Sequence, residues 1–358
     1  MTCHLYTKND AFLRRRFLSL PRELYPSERR TQEPKTERQL LRGTHPLSSD
    51  FEVFPFLALD ENDRPVSRCL LTCYPGDDAG YVGFFESEDA PEAAAMVLNA
   101  AAAMAKQLGK HRLVGPYNAS FWIGYRFKST NFRDYFTGEP CNKAYYPRLW
   151  EQCGFRVTDH YYSNHMRVPT AADQSRKAMA RLEHFRSLGY QFVNPTFSTF
   201  DRCLRDIYHL LTKLYSTFPG YKGISETQFV QLYSPLRFVA DFEMVKLVYK
   251  DDALAAFVIC IPNYGTHTAG RITLRDALEI LRIRRRPTEY SIPYMGVSPE
   301  HAGLGNALSE LLKQDLSRKQ CTSISALIHD GKVSGGFYRI LLTHQSEYVL
   351  MERTLADG

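Results

Sequence analysis

The sequence predicts an α/β protein, in which each of two tandem lobes holds a mixed, mostly antiparallel sheet flanked by helices. Three observations support this. The chain has 358 residues, which favours two domains over one. Hydrophobic residues make up 44% of it and aromatic residues 13%, enough for large cores and too much for a disordered chain. Strand and helix patterns alternate after an antiparallel start, and this order occurs twice.

The first lobe is predicted to span residues 1–169. Two apolar runs around a polar turn favour a β-hairpin, and a third strand follows. An alanine-rich helix begins at Pro91, because proline favours the first turn of a helix, and Gly109 follows its end. The predicted strands lie at residues 54–59, 66–74, 80–86, 112–114 and 155–168, and the predicted helices at 91–108 and 145–153.

The second lobe, residues 170–358, begins with a linker and a basic helix that ends at Gly189. The order of the first lobe then repeats, with an insertion at residues 263–289 that contains a helix of its own. The predicted strands lie at residues 242–249, 253–261, 290–297, 323–328 and 347–353, and the predicted helices at 306–317 and 333–342.

The net charge of +6 is unevenly distributed. Residues 1–50 hold ten Lys and Arg against six Asp and Glu, and a second basic cluster comprises Arg282 and Arg284–Arg286. Such clusters are typical of proteins that bind a phosphate-bearing partner, for example a nucleotide cofactor or RNA. A solvated surface is the alternative interpretation of the first cluster.

Several classes of protein are disfavoured. The longest apolar stretch, residues 93–105, is about 13 residues long and shorter than the ~20 that a bilayer requires, so we expect no membrane span. The eight cysteines show no zinc-ligand spacing, so we expect no metal site. The N-terminus lacks the apolar core of a secretory signal, which predicts a cytoplasmic protein with reduced thiols.

The segment between the strand at 290–297 and the next helix carries the strongest functional signal. Val297-Ser298-Pro299 ends the strand, and Gly303-Leu304-Gly305 leads directly into the helix. Glycine lets backbone N–H groups approach a phosphate, and a helix N-terminus adds partial positive charge. The pattern predicts an anion cradle, and a tight turn before a surface helix is the alternative. The glycine fingerprint of dinucleotide-binding folds is absent.

The stretch from Val297 to Leu308 resembles the pyrophosphate loop of the GNAT acyltransferase superfamily. Residues 336–339 and 150–155 are similar to other motifs of that superfamily, and residues 17–25 and 115–118 are similar to a bacterial subgroup with twin GNAT lobes. The resemblance implies acyl transfer from acetyl-CoA or another acyl-CoA to an amine of a small-molecule or amino-acid-like acceptor. Under it the cofactor-binding residues are Met295, Gly296, Val297, Gly303, Leu304, Gly305, Asn306 and Ala307.

The family fold separates two central strands so that a pantetheine arm pairs with the exposed edge, and Gly296 is expected at a β-bulge there. By position, Tyr338 is the candidate acid for the departing thiolate, and a core aromatic is its alternative interpretation. His329 is a candidate base with a turn-capping alternative. Glu300, or Ala302 in a register shifted by two, stands where the family has a phosphate donor, and Arg284–Arg286 are candidates to compensate for it.

The first lobe lacks a glycine loop, and its acidic run Glu86–Asp89 predicts that it does not bind the cofactor in this manner. Phe121, Trp122 and Tyr125 are candidates to line an acceptor pocket, although core positions are favoured for them.

Two other functions stay open. One is an aminoacyltransferase that uses charged tRNA, and the other is a non-catalytic protein that binds a ligand or partner. The oligomeric state is not predicted.

Overall fold

The structure, a computed structural model, describes residues 1–6, 10–26, 34–133, 135–268, 272–331 and 339–355. The chain forms two compact units. The first is built on Met1–His160 and Glu347–Gly358, and the second on Tyr161–Thr268 and Thr273–Ser346. The predicted lobes, 1–169 and 170–358, follow chain order and differ from these units, because each unit takes a strand from the other half of the chain.

The first unit is a mixed sheet covered by helices. Its elements are β1 (Thr2–Leu5), α1 (Ala11–Leu24), α2 (Pro34–Arg42), β2 (Glu52–Leu59), β3 (Pro65–Cys73), β4 (Ala79–Ser87), α3 (Pro91–Gln107), β5 (Arg112–Gly115), β6 (Phe127–Lys128), α4 (Tyr146–Gln152) and the last part of β13 (Leu342–Thr354). The strand order is β1–β2–β3–β4–β5–β13, and β6 also pairs with β13. Strands β4 and β5 are parallel, and the other neighbours are antiparallel.

Helix α3 shows how the local sequence builds this unit. Pro91 occupies its first turn, and Gly109, with φ of +71°, follows its end. The buried face consists mostly of alanine, with Val97 and Leu98. Small side chains let the helix lie close to β2, β3 and β4, so that it forms one core with them.

The second unit is also a mixed sheet with helices. Its elements are most of β7 (Arg156–Met166), α5 (Arg176–Ser187), β8 (Gln191–Val193), α6 (Phe200–Tyr215), α7 (Glu226–Tyr233), β9 (Val245–Lys250), β10 (Ala253–Pro262), α8 (Leu274–Arg285), β11 (Glu289–Val297), α9 (Leu304–Lys319) and β12 (Thr322–His329). The strand order is β7–β12–β11–β10–β9–β8, and β11 and β12 are the parallel pair. Leu308, Leu312 and Leu316 bury one face of α9 in the core.

The predicted fold class is confirmed, and the strands and most helices lie within a few residues of their predicted bounds. The helix predicted at 333–342 falls largely outside the described residues. Of its remainder, Arg339–Leu341 forms one turn of 3-10 helix and Leu342 begins β13. Three strands and four helices were not predicted: β1, β6, β8, α1, α2, α6 and α7. No helix in the described ranges is long and apolar enough to span a bilayer.

The closing strands lie in an unpredicted arrangement. In the first unit, Met351–Thr354 of β13 pairs antiparallel with β5. In the second unit, Tyr161–Met166 of β7 pairs antiparallel with β12. The hydrophobic pattern of a strand specifies which of its faces is buried but does not identify the neighbouring strand. The prediction therefore followed chain order, which placed β7 in the first lobe and β13 in the second.

Candidate functional site

Strands β11 and β12 run side by side for only part of their length. Their parallel ladder extends from Glu289↔Thr322 to Ile292↔Ser325. The next residue of β11 is Pro293, which has no N–H to continue the ladder. On β12, the pairing with β7 shifts register between Ser325 and Ile328. Past Ile292, the edge of β11 that faces β12 is therefore open in the part of the chain that the structure describes.

Gly296 lies on this open stretch, but it is not at a bulge, so that expectation was wrong. It pairs in register with Phe257 of β10, and the extra residue of β11 falls between Ser291 and Tyr294, at the proline. Glycine is required for a different reason. A Cβ on Gly296 would lie 2.6 Å from Cε1 of Phe257 and 2.8 Å from Cδ1 of Leu214, so no side chain fits without a shift.

We therefore expect Gly296→Ala to lower the free energy of unfolding by about 1–3 kcal/mol, the usual cost of overpacking a core. Chemical denaturation would measure it. Gly223→Ala is the matched control, because a Cβ there meets no atom within 4 Å. Equal stability of the two variants would show that the space around Gly296 is not limiting.

After β11, the chain makes a 3-10 turn over Pro299–His301 and enters α9. Gly303 precedes the helix with φ of +93°, a conformation that glycine adopts without strain. No side chain caps this N-terminus among the described residues. Gly305 and Ala307 are buried, whereas Asn306 is exposed. The first-turn N–H groups of α9 thus donate to no capping side chain. An anion cradle requires N–H groups that are available in this way.

Arg181 of α5 supplies a positive charge at this cradle. The position of a Cβ on Gly303 would be 3.4 Å from both Cδ and Nε of the arginine side chain. The side chain is half-buried and forms no ion pair with any described residue. The sequence predicts no donor in the loop, where Glu300 is exposed, and the donor on another helix was not predicted. The available signal was the basic composition of the helix that the sequence predicts before Gly189, within residues 170–189.

A second contact fixes the loop from the same direction. The hydroxyl of Tyr190, which follows α5, lies 2.8 Å from Nδ1 of His301. Tyr190 also packs edge-on against Phe185 of that helix. The end of α5 and the turn after it therefore position both the loop and the arginine beside it.

The predicted catalytic residues have separate outcomes. His329 is the last residue of β12, and its ring packs against Tyr161 at 4.9 Å and Phe218 at 6.0 Å between centroids. Tyr338 lies outside the described residues.

In the first unit, Trp122 and Tyr125 are buried, and Phe121 stacks on Tyr125 with ring centroids 5.0 Å apart, as in a packed core. Residues 284–286 are exposed at the end of α8.

On the face of β11 that carries Tyr294, helices α6 and α7 enclose a narrow apolar cavity of about 20 Å³. Its only hydroxyls among the described lining residues belong to Tyr233 and Tyr294, whose oxygen atoms are 3.4 Å apart. Burial raises the pKa of Tyr233 well above its usual value, which favours the neutral hydroxyl further. The cavity on this face of β11 is thus apolar except at the end where the two tyrosine hydroxyls lie.

The matching place in the first unit is filled by the chain itself. Beyond the short parallel ladder, Tyr117 N–H donates to the Val82 carbonyl at 2.7 Å, and the side-chain oxygen of Asn118 accepts from Phe84 N–H at 2.7 Å. A Cβ on Gly83 would lie 2.0 Å from the Tyr117 carbonyl oxygen. The edge of β4 therefore has no room for an extended ligand.

Comparisons with known proteins identify the fold. No family model matches the chain, and no curated protein matches it. A tandem GNAT protein from the clavulanic acid biosynthesis pathway is similar, with a TM-score of 0.54 and 12% identity, over 100% of this chain and 99% of that one. A GCN5-related N-acetyltransferase from Sphaerobacter thermophilus has a TM-score of 0.51 and 11% identity, over 100% and 96%.

A third similar structure is a GCN5-related glucosamine N-acetyltransferase region of a fungal multi-domain β-N-acetylglucosaminidase. Its TM-score is 0.53 at 12% identity, over 98% of this chain and 38% of that one. Identities this low establish architecture and leave substrates open. The separated strands, the glycine loop before α9 and these similarities agree: the chain has the tandem GNAT fold.

Proposed function

We propose that this protein is an N-acyltransferase that transfers an acyl group from acyl-CoA, with acetyl-CoA as the leading donor, to an amine. The acceptor is a small molecule or an amino-acid-like compound, the reaction uses no metal, and the location is cytoplasmic. The observation that carries the proposal is the open edge of β11, followed after one 3-10 turn by the N-terminus of α9, which no described side chain caps and which lies beside Arg181.

The residues present fit coenzyme A. Backbone groups of Met295, Gly296 and Val297 lie on the open edge, where a pantetheine arm would find hydrogen-bond partners. Amides of Gly303, Leu304, Gly305, Asn306 and Ala307 would hold the pyrophosphate. Arg181 would add a charge-assisted hydrogen bond, which is roughly twice as strong as a neutral one. When bound, the acyl thioester supplies the activated carbonyl.

Proton transfer is assigned to two side chains. His329 would accept a proton from the acceptor ammonium, since imidazole is a common general base. Tyr338 would donate a proton to the departing thiolate, and this role rests on its position in the sequence. The acceptor would approach from the face of β11 that carries Tyr294.

The proposal predicts that one coenzyme A molecule binds per chain, because the first unit closes the corresponding edge with Tyr117 and Asn118. Isothermal titration calorimetry of the full chain would measure the stoichiometry. Gly303→Glu should weaken binding at least tenfold, since it places a carboxylate at the cradle. Gly303→Ala imposes the same backbone strain without the charge and serves as the control. Absence of binding by the wild-type chain would refute the proposal.

The tRNA-dependent aminoacyltransferase stays a prediction. It requires binding of charged tRNA with a steep salt dependence, and a flat response between low and physiological salt would count against it. The non-catalytic alternative requires that Tyr338→Phe and His329→Ala leave the cellular phenotype unchanged.

A further inference from the structure

Helix α8 lies in a long connection that has no counterpart in the first unit. There, the turn between β3 and β4 comprises residues 74–78, whereas the matching connection between β10 and β11 comprises residues 263–288, of which 269–271 lie outside the described residues. None of the twelve residues of α8 is buried. Because a short helix normally gains its stability by packing an apolar face, we examined what α8 presents to solvent.

The outer face of α8 carries a leucine stripe, which comprises Leu274, Leu278 and Leu281. These residues recur at positions i, i+4 and i+7, so they lie on one side of the helix. Their exposed fractions are 80%, 61% and 50%. Ile280 and Ile283, on the opposite side, are half-buried. The leucines therefore protrude from a convex surface, and the fold leaves their side of the helix uncovered.

Arginines surround the leucine stripe. Residues 274–286 hold five arginines against two acids, a formal net charge of +3, and all five arginines are exposed. By helical spacing, Arg275 and Arg282 lie along one side of the stripe. Arg284 lies along the other side, and Arg285 is at the end of the stripe. The outer face of α8 is thus apolar in the middle and basic around it.

Both acids of α8 already have partners on the protein. Oδ1 of Asp276 lies 2.9 Å from Nδ1 of His267, and Glu279 forms an ion pair with Arg282 at 2.7 Å. The side chains of residues 284–286 form no ion pair in the part of the chain that the structure describes. The undescribed residues of this connection contain no acid in the sequence. Three arginines at the end of the leucine stripe are therefore available to an anionic partner.

We propose that the leucine stripe and the arginines around it dock onto the surface of a bilayer that contains anionic phospholipids. The leucines would enter the boundary between headgroups and acyl chains, with the helix in the plane of the surface. The arginine side chains would extend beside them to the lipid phosphates. An apolar stripe with basic sides is the pattern that such surface helices share.

Three features favour a bilayer over a macromolecular partner. The twelve residues of α8 give it a length of about 18 Å, so its outer face is small beside the ~800 Å² that each protein contributes to a stable interface. The apolar residues are leucines, whereas tyrosine and tryptophan are enriched at protein hot spots. RNA would pair with the arginines but would leave the protruding leucines in water. A fluid bilayer accommodates both without a preformed groove.

Cosedimentation of the full chain with large unilamellar vesicles tests this surface. The wild type should bind vesicles of equimolar phosphatidylcholine and phosphatidylglycerol at least about tenfold more strongly than pure phosphatidylcholine. Leu278→Gln/Leu281→Gln should lower binding to the mixed vesicles at least about tenfold, because apolar insertion is lost. The control Leu108→Gln/Leu188→Gln makes the same change at exposed leucines outside α8, and it should stay within about threefold of the wild type.

The basic side of the surface has its own test. Arg284→Gln/Arg285→Gln should lower binding to the mixed vesicles about tenfold at low salt and less at physiological salt. Arg156→Gln/Arg202→Gln removes the same charge from exposed positions outside α8 and should stay within about threefold of the wild type. Thermal unfolding of all four double variants checks that they are folded.

Several results would overturn the proposal. They are absence of wild-type binding to the mixed vesicles, equal binding of the two leucine double variants, and tighter binding of a single-stranded RNA 12-mer than of the vesicles. A dimer in solution that Leu278→Gln/Leu281→Gln dissociates would instead assign the stripe to a second copy of the chain. Vesicle binding does not depend on the proposed function, so Gly303→Glu should bind as the wild type does, and its failure to bind would place the contact at the α9 cradle.

Discussion

Replacing Arg181 with glutamate is expected to weaken coenzyme A binding about a hundredfold. The arginine side chain lies against Gly303 at the N-terminus of α9, where the pyrophosphate would sit. A charge-assisted hydrogen bond contributes about 1.5–3 kcal/mol, and the new carboxylate would add repulsion. A total of about 2.7 kcal/mol corresponds to a hundredfold change in Kd. Calorimetry at low and physiological salt would measure it.

The control is Arg186→Glu, which makes the same charge change on the same helix. Arg186 is exposed and pairs with Glu183 at 2.7 Å, so its replacement should leave the affinity within about threefold. Arg181→Lys keeps the charge but loses the planar fork, and it should fall between wild type and Arg181→Glu. Equal affinities of Arg181→Glu and Arg186→Glu for coenzyme A would show that Arg181 does not contribute to the site.

Arg181 also shows why part of the site escaped sequence analysis. Cues that act within a few residues were sufficient for elements such as α3, which begins at Pro91 and is followed by Gly109. The glycines before α9 were likewise found, because the strand, loop and helix are contiguous. The arginine is more than a hundred residues from Gly303 in the chain, and only the packing of α5 against α9 brings them together. No local pattern encodes that proximity.

Two other differences between the prediction and the structure also arise from contacts between distant parts of the chain. Gly296 was assigned to a bulge because glycine interrupts strands, whereas Pro293 marks the bulge and Gly296 is constrained by Phe257 on β10. The exchange of closing strands depends on which edges β5 and β12 leave available. Both are properties of neighbours across the sheet, which the order of residues along a strand does not specify.

Replacing Glu86 with glutamine is expected to change the pH dependence of stability more than any other single substitution considered. Glu86, the second-to-last residue of β4, lies in a buried network. It accepts a hydrogen bond from Tyr146 at 2.7 Å, and Arg68 and Glu37 form an ion pair nearby. Burial raises the pKa of Glu86 from 4.5 to about 7, although the Arg68 charge and the tyrosine hydroxyl oppose that shift. The folded protein therefore keeps a proton that the unfolded chain releases.

The sign of the effect follows from that proton. Between the unfolded pKa of 4.5 and the folded pKa of about 7, the folded state binds more protons, so the free energy of unfolding falls as pH rises. Integrated over this window, the fall amounts to about 3 kcal/mol, and above it the contribution stays constant. Glutamine keeps an acceptor for Tyr146 and does not titrate. Glu86→Gln should therefore gain stability relative to the wild type as pH increases from 4.5 to 8.

Urea denaturation of both proteins at pH 5, 6, 7 and 8 would measure this difference, and Glu61→Gln, which removes an exposed carboxylate, should follow the wild-type curve. A constant difference between Glu86→Gln and wild type would mean that the carboxylate is ionised throughout and paired with Arg68. That result would also bear on whether the first unit can bind a diphosphate. With a neutral Glu86, only the closed edge of β4 would oppose such a ligand, whereas an ionised Glu86 would add repulsion near the same end of the strand.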